Sequence, residues 1–272
     1  MMASNLQMRQ KSLELPPVLS YEDGLPVYFL TGKEYLYQTL FCIRSLDRCS
    51  RQRFRFHLVD DGSLDIQLVQ EKLPASVIVA AEEIRSNLDR MLPEKLYPAI
   101  NKKRAVYPHL KKLTDIHTIP GTNLKLVLDS DMLFWKEPAE LIKWLQNPSG
   151  NLFMTDSNNS YGYSRELMFQ LSGYPVPELL NVGVAGLHSG QIDWKKLENW
   201  ITVMEEKEGG SYYLEQALTA MIASGWHFNQ LPSDNYIVYP NDKQISEGSG
   251  VLHHYVDLSK KKYFTEAWKK FI

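Results

Sequence analysis

Short apolar runs alternate along the chain with stretches whose apolar residues recur at helical spacing. The runs that predict strands cover residues 26–31, 54–60, 76–80, 124–129, 151–155 and 182–187. The stretches that predict helices include residues 35–48, 101–117, 138–146, 194–206 and 212–223. Apolar strands separated by helices are typical of a mostly parallel sheet that is covered on both faces. The pattern therefore predicts an α/β fold.

The same pattern sets the expected boundaries of the domain. Residues 1–20 begin with a polar stretch that lacks the apolar core of a signal peptide, and we predict a flexible leader there, with a small docking arm as the alternative. Residues 21–272 contain no internal repeat and no linker that would divide them. We therefore predict a single domain, with a more irregular C-terminal third.

Composition and charge narrow the class of protein. The chain has 272 residues, of which 44% are hydrophobic and 23% charged, as is ordinary for a soluble globular protein. A net charge of -2 gives no reason to expect a nucleic-acid partner, which requires a basic surface. Two cysteines, Cys42 and Cys49, make neither a disulfide framework nor a zinc site. Without an apolar run of about 18 residues to span a membrane, we expect a cytoplasmic protein.

Polar and acidic residues follow four of the predicted strands. In open α/β sheets, ligands bind beyond the carboxyl ends of the strands, so residues that follow the strands share one crevice. The residues at these ends are Thr31 and Gly32, Asp60 and Asp61, Asp129 with Asp131, and Asp156.

Asp129 and Asp131 are the most informative of these residues. Residues i and i+2 of an extended segment point to the same side, so both carboxylates would face one ligand. Like charges at that separation repel unless a cation lies between them, and oxygen ligands favour Mg²⁺ or Mn²⁺. The alternative is a pair of carboxylates that cap a turn, but the apolar strand before them favours the metal.

Two residues near the C-terminus can complete such a site. His254 follows an apolar run and is a candidate third metal ligand, although a lone histidine is often only a core or surface residue. Lys260 can neutralise a phosphate group. Together with the acidic pair they favour a metal site that binds a phosphorylated ligand.

Two further motifs supply polar side chains. Asn181 begins an apolar strand that contains Gly183, and glycine inside a strand often marks the close approach of a ligand. Glu215 and Gln216 open a helix, where an acidic residue is also favoured by the helix dipole alone. A turn asparagine and a packing glycine are the simpler explanation of the first motif.

In this order, the motifs resemble those of the GT-A fold glycosyltransferases, and in particular glycosyltransferase family 8, which includes glycogenin and bacterial lipooligosaccharide galactosyltransferases. The likeness covers roughly residues 26–260. Lys33 stands where the family usually has an acidic residue, and Asp257 replaces a glycine of the last motif. The matching segments are residues 31–35 with Ser45 and Leu46, Asp129-Ser130-Asp131, Asn181-Val182-Gly183, Glu215-Gln216, and His254 to Lys260.

The resemblance implies a GT-A (Rossmann-like) mixed, mostly parallel sheet and a hexosyltransferase activity. It implies a nucleotide-sugar half at about residues 21–135 and an acceptor half at about 136–272. The metal, Mn²⁺ or Mg²⁺, would be held by Asp129, Asp131 and His254. The residues expected to bind the nucleotide-sugar, a UDP-sugar by default, are Thr31, Gly32, Tyr35, Asp60, Asp61, Lys103, Arg104, Ser130, Gly183 and Lys260. The residues expected at the reacting sugar are Asp156, Asn181, Glu215 and Gln216.

Retention of the anomeric configuration is also implied by the resemblance, whereas inversion would require a general base. Two other functions fit this architecture: a nucleotidyltransferase that makes sugar nucleotides, and a non-catalytic protein that binds them. The acceptor and the oligomeric state are not indicated by the sequence. The basic, aromatic residues 260–272 are compatible either with peripheral contact to an anionic membrane or with a terminal helix that packs on the domain.

Overall fold

A seven-stranded sheet with the order β3-β2-β1-β4-β7-β6-β8 forms the centre of the protein, and a second sheet has the order β5-β10-β9. The structure is a computed structural model that describes residues 2–272. All six strands predicted from the sequence are present. The strands are β1 (Leu25–Thr31), β2 (Phe54–Asp60), β3 (Val77–Val79), β4 (Leu124–Leu128), β5 (Met132–Phe134), β6 (Asn151–Thr155), β7 (Leu180–His188), β8 (Phe228–Gln230), β9 (Tyr236–Val238) and β10 (Leu252–His254).

Strand β7 is the one strand of the large sheet, over the described residues, that runs against the others. It pairs antiparallel with both β4 and β6, whereas the pairs β3-β2, β2-β1, β1-β4 and β6-β8 are parallel. The mixed, mostly parallel sheet expected from the sequence is thus confirmed. Because β7 is reversed, its first residues lie at the edge where β4 and β6 end.

The helices cover both faces of the large sheet. Alternate residues of β1 enter two separate cores, since Val27 and Phe29 pack in one and Tyr28 in the other. This alternation places helices on both sides, as predicted. The helices are α1 (Met2–Ser12), α2 (Leu36–Cys49), α3 (Ile66–Lys72), α4 (Ala81–Met91), α5 (Pro98–Val106), α6 (Lys111–His117), α7 (Ala139–Gln146), α8 (Arg165–Ser172), α9 (Trp194–Glu208), α10 (Leu214–Ser224), α11 (Asp242–Glu247) and α12 (Ser259–Thr265).

The helix predicted over residues 101–117 is divided into two. Helix α5 ends at Val106, and a 3-10 turn from Pro108 leads into α6. Tyr107 has φ -131° and ψ 87°, outside the helical region. Proline has no N–H to donate and restricts the residue before it, so the helix stops and restarts in a new direction.

The small sheet joins two distant parts of the chain. Strand β5 follows Asp131 directly, and β10 pairs antiparallel with it so that His254 lies opposite Met132. Each of its three strands has only three residues, too few for an alternating pattern to be visible in the sequence.

The N-terminal segment differs from the flexible leader expected over residues 1–20. Residues 2–12 form α1, while Met1 lies outside the described residues. Met8, Leu15 and Val18 are buried in the same core as α2. Arg9 forms an ion pair of 2.6 Å with Glu34. Widely spaced apolar residues in a polar segment anchor it here, although they are too few to produce a strong sequence signal.

The C-terminal segment packs on the domain. Tyr263, Trp268 and Phe271 are buried, whereas Lys261, Lys269 and Lys270 are exposed. These aromatic side chains therefore pack in the hydrophobic core of the domain. Among residues 2–272, no helix combines the length and hydrophobicity needed to cross a membrane.

Candidate active site

The three predicted metal ligands, Asp129, Asp131 and His254, meet at the carboxyl edge of the large sheet. Nε2 of His254 lies 3.6 Å from Oδ2 of Asp129 and 3.4 Å from Oδ1 of Asp131. One ligand atom from each of the three residues lies within 4.8 Å of the others. Two carboxylates and one imidazole around a common centre fit Mn²⁺ or Mg²⁺, and they leave other coordination positions for a ligand.

The backbone holds these three side chains in place. The N–H of Asp129 donates to the carbonyl of Gly183 (2.9 Å), which ties the end of β4 to β7. The carbonyl of Asp131 accepts from the N–H of Tyr255 (3.0 Å), the residue after His254. The site is therefore built where the large and small sheets join.

Lys260 completes the arrangement predicted for the C-terminal motif. Its Nζ lies 3.0 Å from Oδ2 of Asp131, and its side chain is 42% exposed. Burial alone would raise the pKa of Asp131, but the hydrogen bond and charge of His254 and the charge of Lys260 lower it below the usual range. Asp131 is therefore ionised and able to bind a cation, while Lys260 remains partly exposed to solvent.

Lys112 also belongs to the site, although the sequence analysis did not single it out. Its Nζ lies 2.9 Å from Oδ1 of Asp129 and 3.2 Å from Oε2 of Glu215, and all three side chains are largely buried. Burial opposes the charge of Lys112, but the two carboxylates outweigh it and raise its pKa. Burial also raises the pKa of Glu215 to about 7, against the opposing effect of Lys112. The lysine thus links the metal side of the site to the helix that carries Glu215.

Three of the four residues predicted at the reacting sugar lie in one hydrogen-bonded group, and the fourth, Glu215, pairs with Lys112 instead. Oδ2 of Asp156 accepts from Nε2 of Gln216 (3.0 Å) and from Nδ2 of Asn181 (3.1 Å). Oδ1 of Asn181 lies 3.0 Å from Nδ1 of His254. The structure therefore brings Asp156, Asn181 and Gln216 together behind the metal ligands.

The residues predicted to bind the nucleotide-sugar after β1 lie beside this site. A chain of hydroxyl groups runs from Thr31 to Thr39 (2.9 Å) and from Thr39 to Ser130 (2.8 Å), next to the acidic pair. Tyr35 is 56% exposed. A side chain on Gly32 would overlap the carboxylate of Asp61, so the two loops touch there.

Other predicted residues are engaged in local structure. Oδ1 of Asp60 accepts from the N–H groups of three following residues, Gly62, Ser63 and Leu64, which corresponds to the turn alternative. Arg104 donates two hydrogen bonds to Asp115 (2.5 and 2.6 Å), and Lys103 forms an ion pair with Glu205. Contact of Lys103 and Arg104 with a nucleotide-sugar remains a prediction, and it would require these pairs to open.

Gly183 is expected to be essential for the position of His254. A Cβ on Gly183 would overlap the His254 ring and lie 3.0 Å from Oδ1 of Asn181. We expect Gly183→Ala to displace the imidazole and to weaken Mn²⁺ binding by about tenfold or more, the size typical of disturbed metal-site surroundings. Electron paramagnetic resonance titration with Mn²⁺ measures this affinity.

Gly186→Ala is the matched control for this change, because Gly186 lies on the same strand. A Cβ there would overlap the ring of Trp144, remote from the acidic pair. We expect this variant to lose stability but to keep its Mn²⁺ affinity. Equal loss of affinity in both variants would mean that crowding of β7, and not displacement of His254, is responsible.

Solved structures share this fold at low sequence identity. Mouse xyloside xylosyltransferase 1, in its apo form, has a TM-score of 0.55 and 16% identity, covering 87% of this chain and 97% of that one. The galactosyltransferase LgtC, in complex with donor and acceptor sugar analogs, has a TM-score of 0.55 and 14% identity, covering 90% and 95%. No protein-family model matches the sequence, and a search of curated proteins finds no match. The matches confirm the GT-A fold that the motif order predicted.

Proposed function

We propose that this protein is a glycosyltransferase that uses a divalent metal ion to bind a nucleoside-diphosphate sugar and transfers the sugar to an acceptor. The observation that supports this most strongly is the cluster of Asp129, Asp131 and His254 at the carboxyl edge of a GT-A sheet. Lys260 beside it adds a cation where a diphosphate would lie. The cytoplasmic location and the UDP-sugar donor are part of the proposal.

The residues of the site have different roles in the proposed reaction. A bound Mn²⁺ or Mg²⁺ would neutralise charge that builds up on the departing diphosphate. Asp129, Asp131 and His254 hold that ion, and Lys260 donates hydrogen bonds to phosphate oxygens. Lys112 and Glu215 form the inner wall, where the transferred sugar is expected to lie.

The group transfer is proposed to proceed with retention of configuration. The bond between the anomeric carbon and the phosphate oxygen breaks, and a bond from the anomeric carbon to the acceptor oxygen forms on the same face. The acceptor proton passes to the departing diphosphate oxygen. This route needs no general base, which suits a site where Oδ2 of Asp156 already accepts two hydrogen bonds from amide groups.

The proposed function is tested by hydrolysis and transfer with a panel of nucleoside-diphosphate sugars in the presence of Mn²⁺. We expect turnover with one or a few donors, its loss on chelation, and a product with retained configuration by NMR. Formation of a sugar nucleotide from a nucleoside triphosphate and a sugar phosphate would indicate a nucleotidyltransferase instead. Donor binding without turnover across many acceptors would indicate a binding protein.

The acceptor is expected to contact an exposed aromatic ring near Lys260. Tyr212 is 66% exposed, and its ring lies edge-on to the rings of His109 and Tyr213 (5.1 and 5.3 Å between ring centroids). A ring held from two sides presents a fixed apolar face, on which a sugar ring can stack.

We expect Tyr212→Ala to raise the KM for the acceptor about five- to tenfold and to leave donor hydrolysis nearly unchanged, since stacking contributes about 1 kcal/mol. Steady-state kinetics with the acceptor identified in the donor panel measures both. Tyr174→Ala is the control, because Tyr174 is 52% exposed and lies beside Gly225, where α10 ends. A KM unaffected by Tyr212→Ala would exclude this face from the acceptor site.

A further inference from the structure

His254 has two ring nitrogens, and their surroundings differ. Nε2 faces the carboxylates of Asp129 and Asp131, whereas Nδ1 lies 3.0 Å from Oδ1 of Asn181. A neutral imidazole carries its proton on one nitrogen and binds a metal through the other. The partner of Nδ1 therefore decides whether Nε2 is available as a ligand.

Two hydrogen-bond partners determine which atom of the Asn181 amide is the oxygen and which is the nitrogen. The N–H of Gly183 lies 2.9 Å from one amide atom, and a backbone N–H only donates, so that atom is the oxygen. The other amide atom lies 3.1 Å from Oδ2 of Asp156, and a carboxylate only accepts, so that atom is the nitrogen. A flipped amide would place two donors together at one end and two acceptors together at the other.

The proton on His254 is fixed by the same reasoning. Because the atom facing Nδ1 is the Asn181 oxygen, Nδ1 must be the donor in that 3.0 Å contact. Nε2, which faces the acidic pair, is then the ring nitrogen that is available to bind a metal ion in exchange for any proton it carries. Both Asn181 and His254 are about 5% exposed, so water cannot easily replace either partner.

Asp156 is itself held in one position. Its Oδ2 also accepts from Nε2 of Gln216 (3.0 Å), and its Oδ1 accepts from the N–H of Ser157 (2.7 Å). Nε2 of Gln216 is anchored in turn by the carbonyl of Ser160 (2.9 Å). The amide of Asn181 therefore cannot rotate without breaking its hydrogen bonds to Gly183, Asp156 and His254.

We propose that Asp156 and Asn181 are positioning residues: they keep the proton of His254 on Nδ1 and thereby make Nε2 a metal ligand. The proposal rests on the metal-dependent function proposed above. The sequence predicted both residues at the reacting sugar. In this proposal they also orient a metal ligand before any substrate binds. Such partners of a metal-binding histidine set its orientation and its affinity for the metal.

The tautomer of His254 is directly measurable in the metal-free protein. Long-range ¹H–¹⁵N NMR of the histidine rings at about pH 8, where an ordinary imidazole is neutral, distinguishes a proton on Nδ1 from one on Nε2. His254→Gln identifies the signals. We expect a proton on Nδ1 in the wild-type protein, with or without a second one on Nε2, and the loss of the Nδ1 proton in Asn181→Leu, which removes the acceptor.

Mn²⁺ affinity is the second measurement. We expect Asn181→Leu to raise the dissociation constant about 10- to 100-fold. Asn181→Asp keeps an oxygen opposite Nδ1 but places its second oxygen against Oδ2 of Asp156, so we expect it to keep the Nδ1–H signal and to recover only part of the affinity. Asn229→Leu, in the distant strand β8, is the control and should change neither. If Asn181→Leu does not fold, Asn181→Ser removes the same acceptor with a smaller change.

The two proposals fail in different ways. An Asn181→Leu protein that keeps the Nδ1–H form and wild-type Mn²⁺ affinity would overturn the positioning role and leave the glycosyltransferase proposal intact. A wild-type protein that binds no Mn²⁺ or Mg²⁺ would overturn the metal-dependent function. The NMR comparison would still report, in that case, whether Asn181 controls the proton of His254.

Discussion

Asp131→Ala is expected to abolish donor hydrolysis and sugar transfer, lowering the rate by about a thousandfold or more, since metal and oxyanion-type stabilisation each contribute on that scale. The change removes one of three ligand residues and also the partner of Lys260, which lies 3.0 Å away. Hydrolysis of the best donor with saturating Mn²⁺, together with Mn²⁺ titration, measures the loss.

Asp89→Ala serves as the control for this experiment, because Asp89 is exposed on α4 and outside the site. It should retain wild-type activity. Thermal unfolding of both variants checks that the loss does not arise from unfolding. Wild-type turnover by a folded Asp131→Ala protein would remove the basis for assigning the metal to this acidic pair.

Lys112→Met is expected to lower both stability and activity. It leaves the buried carboxylates of Asp129 and Glu215 without the ammonium group that lies 2.9 and 3.2 Å from them. Removing one partner of a buried charge group typically costs about 3–5 kcal/mol. Urea unfolding of the metal-free protein measures the free energy of unfolding, and donor hydrolysis measures the activity.

The double variant Lys112→Met with Glu215→Gln separates the two effects. Neutralising Glu215 removes one uncompensated charge, so we expect part of the stability to return while transfer stays low. Lys112→Arg keeps the charge and should retain much of the stability. A Lys112→Met protein as stable as the wild type would show that Asp129 and Glu215 tolerate burial without this lysine.

The parts of the site that the sequence predicted are those that follow directly from a strand end. Asp129 and Asp131 come after the buried strand β4, and an i, i+2 pair on an extended segment needs no knowledge of the rest of the fold to be placed on one side. Asp156 was located by the same logic. Asn181 was singled out as the start of an apolar strand that contains Gly183, and the reversed direction of β7 explains why it joins residues at strand ends.

Lys112 was missed for a physical reason. The sequence favours one helix over residues 101–117, and the direction of each side chain then depends on a continuous helical register. The break at Tyr107 and Pro108 resets that register, so α6 presents Lys112 to the acidic pair while Arg104, in α5, pairs with Asp115. A proline inside a periodic pattern was the available signal.

The small sheet also determines when, during folding, the three metal ligands come together. Met132 and His254 become neighbours only when β10 pairs with β5, a contact between segments far apart in the chain, and such contacts form late because loop closure must be achieved first. A partly folded chain with the large sheet formed would still have only the two aspartates. Because an ion that binds the complete set favours the closed state by mass action, metal availability would stabilise the chains that have finished folding.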